Sequence, residues 1–405
     1  MRIRTFVAMS ALLLVSTAAW AQDVTPGATV GRLDFGARGT STTGDAARYE
    51  RYRDLTDGLV LETFRFDRQH GDWLLRFGTD HLGRTDQRLT AVANRQGKFR
   101  VNFMWDQIPM LLSRTTQTFF QGDVLNNGGV LTIDDAIQAQ GQASSANIPL
   151  LFVPGNTQGF ELRTDRHIAE SGFQYLATSD LTVNGLFRNT IREGAIPYGG
   201  SFGHGSLVET VAPTNHQLRE VDANAEWARG NYLFRAGYTG SWFENDVRSL
   251  TFDTPYRAVD TSSASSRGRA SLPPTNSFVG ANALASVRLP GRSRATAYFS
   301  TGLLKDAGDQ ILPQTVRTGA TGINPLPRDL VEGQARTFST NASFTSRPTT
   351  AWDFAVRYRS YRYDNQTPEF ESFQRVAYDN AVSNLASPMV TEPFSLVRRS
   401  FDAPG

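Results

Sequence analysis

The sequence predicts an all-β fold, an antiparallel transmembrane β-barrel. Three observations predict it. Segments of about ten residues alternate apolar and polar side chains. The connections between them alternate short and long. Past the N-terminus there is no apolar run of the ~20 residues that a membrane-spanning helix needs.

Composition narrows the chemistry. The 405 residues include 35 Gly, 26 Phe and no Cys. Without Cys there is no disulfide framework, no Cys-ligated zinc, no iron–sulfur cluster and no c-type haem attachment site. Forty-one basic against 39 acidic residues give a net charge of +2, which offers nothing to a nucleic-acid partner. The basic residues are nearly all Arg; the lysines are Lys98 and Lys305.

Residues 1–21 read as a secretory signal peptide. Arg2 and Arg4 form the charged start, Phe6 to Val15 the apolar stretch, and Ala19-Trp20-Ala21 a small-x-small cleavage site. There is no lipobox Cys. Residues 22–57 are then an N-terminal periplasmic segment or a first strand, and residues 58–405 the N-terminal portion of a transmembrane barrel.

The strands follow in order. Trp73, Leu75 and Phe77 oppose Asp72, Arg76 and Asp80. Phe99, Val101, Phe103 and Trp105 oppose Lys98, Arg100 and Asn102. Val221, Ala223, Ala225 and Trp227 oppose Glu220, Asp222, Asn224 and Glu226. Tyr232, Phe234, Ala236, Tyr238 and Trp242 oppose Arg235, Thr239 and Ser241. Val279 to Val287 alternates with Asn282, Ser286 and Arg288; Ala295 to Leu303 with Arg294, Thr296 and Ser300. Phe338, Ala342 and Phe344 oppose Ser339, Asn341 and Ser343, and Trp352 to Tyr358 opposes Asp353, Arg357 and Arg359. Side chains of a strand point alternately to its two faces, so each segment stands between two different solvents. The lumen-facing candidates are Glu220, Asp222, Asn224, Glu226, Arg235, Arg288, Arg357 and Arg359.

Connections at Ala177–Asp180, Ala228–Gly230, Pro290–Ser293 and Ser346–Ala351 are short. Those at Glu193–Asn215, Glu244–Thr275, Lys305–Gln334 and after Asp364 are long. Short turns at one end and long loops at the other are the rule of outer-membrane barrels, which leave no unpaired edge in lipid when closed. Secreted sandwiches also alternate, but their strands are shorter and obey no such rule. Trp73, Trp105, Trp227, Trp242 and Trp352 are expected in the interfacial girdles.

No catalytic, cofactor-binding or metal-binding residue is predicted. The histidines His70, His81, His167, His204 and His216 lack metal-ligand spacing. The Gly-rich run Gly199 to Gly205 does not lie between a strand and a helix, so it is no phosphate loop. A secreted enzyme or adhesin finds no signature.

The loop junctions carry a further signal. Arg188-Asn189-Thr190-Ile191-Arg192-Glu193-Gly194 runs into Ile196-Pro197-Tyr198-Gly199-Gly200-Ser201-Phe202. Tyr238-Thr239-Gly240-Ser241-Trp242-Phe243-Glu244-Asn245-Asp246 precedes Ser249-Leu250-Thr251-Phe252-Asp253-Thr254-Pro255-Tyr256. Then come Leu272-Pro273-Pro274-Thr275-Asn276, Gly308-Asp309-Gln310-Ile311-Leu312-Pro313-Gln314-Thr315 and Tyr363-Asp364-Asn365-Gln366-Thr367-Pro368. In this order, from about Glu50 to Pro368, the series resembles the MtrB/PioB family of outer-membrane β-barrels.

That resemblance implies a sleeve in the cell outer membrane that houses a periplasmic multihaem c-type cytochrome in its lumen. An extracellular multihaem cytochrome docks outside in members of the family. It implies electron transfer across the membrane, in extracellular electron transfer or in iron oxidation or reduction, with the haem carried by the partner and none bound by this chain. A general or substrate-specific porin is the alternative. Some family members carry a Cys pair near the mature N-terminus, and this chain has none. About a dozen strands are legible, fewer than half the number in the family's barrels, and the end at Phe401-Asp402-Ala403-Pro404-Gly405 is not a terminal aromatic strand. The expectation is therefore an incomplete barrel: an open, curved half-barrel sheet whose first and last strands do not pair, lacking the C-terminal part.

Overall fold

The computed structural model describes residues 29–123, 128–201, 207–260, 266–307, 315–316, 328–375, 391–396 and 401–404. The signal peptide expected over 1–21, His204 and the Gly308 to Gln314 part of one motif lie outside these residues. The chain is all-β.

The strands in chain order are β1 (Thr29–Arg38), β2 (Gly58–His70), β3 (Trp73–Leu82), β4 (Arg88–Arg95), β5 (Phe99–Thr118), β6 (Val130–Leu131) and β7 (Gln158–Leu176). Then follow β8 (Leu181–Ser201), β9 (Leu207–Arg229), β10 (Tyr232–Asn245), β11 (Ser249–Asp253), β12 (Arg267–Ser271), β13 (Asn276–Leu289) and β14 (Ser293–Asp306). The last are β15 (Thr315–Val316), β16 (Gln334–Ser346), β17 (Phe354–Asn365), β18 (Phe370–Arg375), β19 (Thr391–Leu396) and β20 (Phe401–Pro404). Among the described residues three short α-helices lie between them: α1 (Ala46–Tyr49), α2 (Asp135–Ala143) and α3 (Ile148–Leu151).

Fourteen strands form one antiparallel meander, β1-β2-β3-β4-β5-β7-β8-β9-β10-β13-β14-β16-β17-β20. Among the described residues β1 pairs with β2 alone, and nothing joins β1 to the far edge. The sheet is open, as the sequence led one to expect. A second sheet, β15-β12-β11-β6, is built from the connections.

Register follows side-chain chemistry because a slip of one residue would exchange the two faces of a strand. Phe234 stands opposite Trp227 and Ala285, and Arg235 opposite Glu226 and Leu284. The β9–β10 turn reverses on Gly230, whose φ of 59° lies in the left-handed region that a Gly enters without a Cβ clash.

The apolar face has a defined height. On β10 it runs from Tyr232 to Trp242, about the ten residues that a tilted strand needs to cross hydrocarbon. Beyond it the same face turns polar. Glu244 follows Trp242 and pairs with Arg219 at 3.1 Å, and Gln217 donates to Asn189 at 2.9 Å. Gln107, the next outward residue after Trp105, bonds His167 at 3.0 Å, and Trp105 stacks on that imidazole. Trp73 and Trp227 stand at the short-turn end, and Trp352 lies in the turn before β17.

Two stretches differ from the sequence reading. In Glu193–Asn215, expected as a long loop, the described residues 193–201 and 207–215 are strand: β8 and β9 stay in register up to Ser201 opposite Leu207. The residues after Asp364, expected as mostly loop with another strand opening at Pro393 to Phe401, include β18, β19 and β20. Pro197 and Pro213 lie within these strands, and the pairing explains why they are tolerated. β7 pairs with β8 only as far as Gly194, and β10 with β9 only as far as His216. Beyond those points the hairpin is two-stranded, so each strand has an open edge where a missing N–H costs no ladder bond.

At the same end the 39–57 connection is latched by Asp54. Its carboxylate accepts from the amides of Thr56 and Thr85, each at 3.0 Å, and faces Arg84 at 3.7 Å. Burial pushes this carboxyl up, but the Thr56 and Thr85 bonds and the Arg84 charge outweigh it and hold it at about 2. A depressed carboxylate stabilises the folded state above its unfolded value of 3.8, and that stability is lost as pH falls toward 2. Pepsin should therefore spare this connection at pH near 4 and cut it near 2, whereas Asp54→Asn should be cut at both. Equal resistance of the variant at the higher pH would show that the latch does not depend on the charge.

Candidate functional site

The register places all eight candidates on one face. Glu226 stands opposite Arg235, and Asp222 opposite Thr239. Arg288 stands opposite Arg294, Ser343 opposite Arg357, and Asn341 opposite Arg359. Each lies on the side opposite Tyr232, Ala285, Ala297, Ala342 and Tyr358.

The contacts on this polar face divide it. Across β7, β8 and β9, Arg188 bridges Glu170 at 2.8 Å and Glu220 at 3.5 Å. Asn184 donates to Asn224 at 3.0 Å, and the Thr239 hydroxyl to Asp222 at 2.7 Å. Arg65 pairs with Asp80 and Arg76 with Asp67 nearer β1. From β13 to β17 the face is mostly amide and hydroxyl: Asn282, Ser286, Thr296, Ser300, Ser339, Asn341 and Ser343. Its arginines, Arg288, Arg294, Arg357 and Arg359, stand toward the short turns. Partly exposed ion pairs contribute at most about 1 kcal/mol each, so this network does little for stability. It makes a wet surface.

Sequence reasoning missed Glu170 and Arg188. Their partners lie on neighbouring strands, and β7 and β8 were read only through their turn and junction motifs. The signal was there in alternation: Arg166, Ile168, Glu170, Gly172 and Gln174 share one side of β7.

A folded cap lies on this face at the long-loop end. Two connections build it, Phe119 to Thr157 and Asp246 to Thr275. β6 pairs in parallel with β11, Leu131 beside Phe252. The Ile133 amide donates to Asp253 at 2.9 Å, and the Gln138 side chain reaches the carbonyls of Thr254 and Arg257, each at 2.9 Å. Leu131, Leu250 and Phe252 are 0% exposed, in a core with Phe119, Phe120, Ile133 and Ile137. Leu162 of β7 and Ala212 of β9 bring the sheet to that core from the polar face; Ala195 and Val211, on the other side of the same hairpin, are buried as well. Gly200 makes the approach possible, since a Cβ there would lie 2.5 Å from the Phe252 ring. Helix α2 closes in the same way: a Cβ on Gly141 would meet the Pro255 carbonyl at 1.9 Å.

A long antiparallel meander with a tall apolar face, a polar face behind it, short turns at one end and folded loops at the other is the wall of an outer-membrane β-barrel. Residues 42–402 match the family of outer membrane beta-barrel porins MtrB/PioB. The chain belongs to that family. It is 24% identical over 306 residues to the outer membrane protein MtrB of Shewanella baltica (strain OS185), across 75% of this chain and 41% of that protein. The chain thus spans less than half the length of this curated relative. Among solved structures, outer-membrane expressed OmpT of Vibrio cholerae is 8% identical with a TM-score of 0.29, over 94% of this chain and 97% of that one. The CymD monoaromatic hydrocarbon channel is 11% identical with a TM-score of 0.27, over 84% and 82%.

Proposed function

We propose that the polar face lines the lumen of a sleeve that houses a periplasmic multihaem c-type cytochrome, so that electrons cross the outer membrane along the partner's haems. Membership of the MtrB/PioB family carries this reading. The absence of Cys supports the division of labour, because covalent haem attachment needs Cys thiols that this chain lacks. The ion-paired and amide-rich lining would meet the cytochrome as a hydrated protein surface, while the apolar face holds the sleeve in lipid.

A porin is the second reading, and the cap favours it. A folded connection over the mouth is the means by which barrels narrow a solute path.

One experiment separates the two. The tagged protein is purified from outer membranes together with the product of any adjacent reading frame that encodes about ten Cys-x-x-Cys-His motifs. The sleeve reading expects a haem-stained band in fixed proportion to the barrel. It also expects proteoliposomes that pass electrons from an external reductant to an enclosed dye. Vesicles that leak small solutes, with no haem co-purifying, would overturn it in favour of the porin.

A further inference from the structure

The apolar face carries a furrow of about 540 Å³ near its short-turn end. Its floor is a row of small residues at one level of the sheet. Phe234 stands opposite Ala285, Ala285 opposite Ala297, Ala297 opposite Ala342, and Ala342 opposite Tyr358. Three alanines on β13, β14 and β16 are thus walled by an aromatic ring at each end. Strands lie about 4.8 Å apart, so the walls stand roughly 19 Å from each other.

The two turns below the furrow are held together. The Ser293 hydroxyl donates to that of Ser346 at 2.9 Å, and a Cβ on Gly291 would lie 3.8 Å from Pro348. This brings Arg292 and Arg347 to one place. Residues 289–293 and 346–353 hold two arginines, Arg292 and Arg347, against one acid, Asp353, while Arg288 and Arg294 belong to the polar face behind the furrow. Among the described residues neither Arg292 nor Arg347 has an ion pair. Trp352 is 61% exposed beside them and stacks on Phe354 at 5.7 Å. An apolar floor above an unneutralised basic rim with an interfacial indole matches an amphiphile with an anionic head.

We propose that this furrow is a specific site for an anionic phospholipid of the periplasmic leaflet, with an acyl chain on the alanine floor and the phosphate at Arg292 and Arg347. The short turns mark the periplasmic end.

The test reconstitutes the whole chain in phosphatidylcholine vesicles and measures quenching of its tryptophans by brominated phosphatidylglycerol and brominated phosphatidylethanolamine. Phosphatidylglycerol should bind about tenfold or more tightly, as two surface arginines acting on an anionic lipid predict. The double variant Arg292→Gln with Arg347→Gln should lose that preference, and the matching Lys pair should keep it. Ala297→Phe, which fills the floor, should weaken both lipids. The variant Arg95→Gln with Lys98→Gln alters an equally basic turn whose outer face is covered by Trp73 against Phe99 at 5.3 Å, and it should change nothing. Equal binding of the two lipids would overturn the site, and so would an equal loss in the Arg95 and Lys98 variant.

Discussion

Replacing Phe252 by Ala is expected to cost the cap about 3–5 kcal/mol, the usual range for removing a fully buried phenyl ring. Phe252 is 0% exposed and touches elements far apart in the chain. It sits beside Leu131 through the β6–β11 pairing, and its ring covers Gly200 of β8. Without the ring, the bonds of Asp253 to Ile133 and of Gln138 to Thr254 lose the dry surroundings that favour them. Limited proteolysis should then cut the 119–157 and 246–275 connections, while the β-sheet circular dichroism signal persists, since the meander meets this core only at the long-loop ends of β5, β7, β8 and β9. Unchanged protease resistance would mean that the cap is held by something other than this cluster.

Placing Arg at Ala236 is expected to destabilise the membrane-inserted protein by about 2–4 kcal/mol, the cost of a cation on a lipid-facing barrel position near the midplane. Ala236 lies between Tyr232 and Trp242 on the apolar face of β10, with Ala225 and Ala283 opposite it. The measurement is the urea midpoint of unfolding in lipid vesicles. The same two-solvent assignment has a cheaper check, because a chain without Cys accepts single labels cleanly. A water-soluble thiol reagent should modify Glu226→Cys and spare Ala225→Cys. Equal labelling would sink the assignment of the two faces.

The strands from Trp73 to Tyr358 were legible because their chemistry repeats with the geometry of the backbone. A strand wet on one side and apolar on the other writes its period of two directly into the chain. Glu220 to Glu226 and Arg235 could be placed on one face from the sequence for that reason, and the register keeps them there. The family was legible from the junctions, Ile196-Pro197-Tyr198-Gly199-Gly200 and Tyr363-Asp364-Asn365-Gln366-Thr367-Pro368 among them, where turn geometry restricts residue choice.

What the sequence determined by itself was therefore the all-β class, the position of most spanning strands, and the side of the sheet to which each candidate belongs. Local alternation suffices for these. The tertiary structure alone decided three other matters. It carried β8 and β9 beyond Gly194 and His216 as a two-stranded hairpin that accepts Pro197 and Pro213 on its open edges. It joined Arg188 to Glu170 and Glu220 across three strands. It folded two connections into one core around Phe252, pairing Leu131 with a residue far along the chain. Each rests on partners distant in sequence, and no local period records which distant segment will cover a buried side chain.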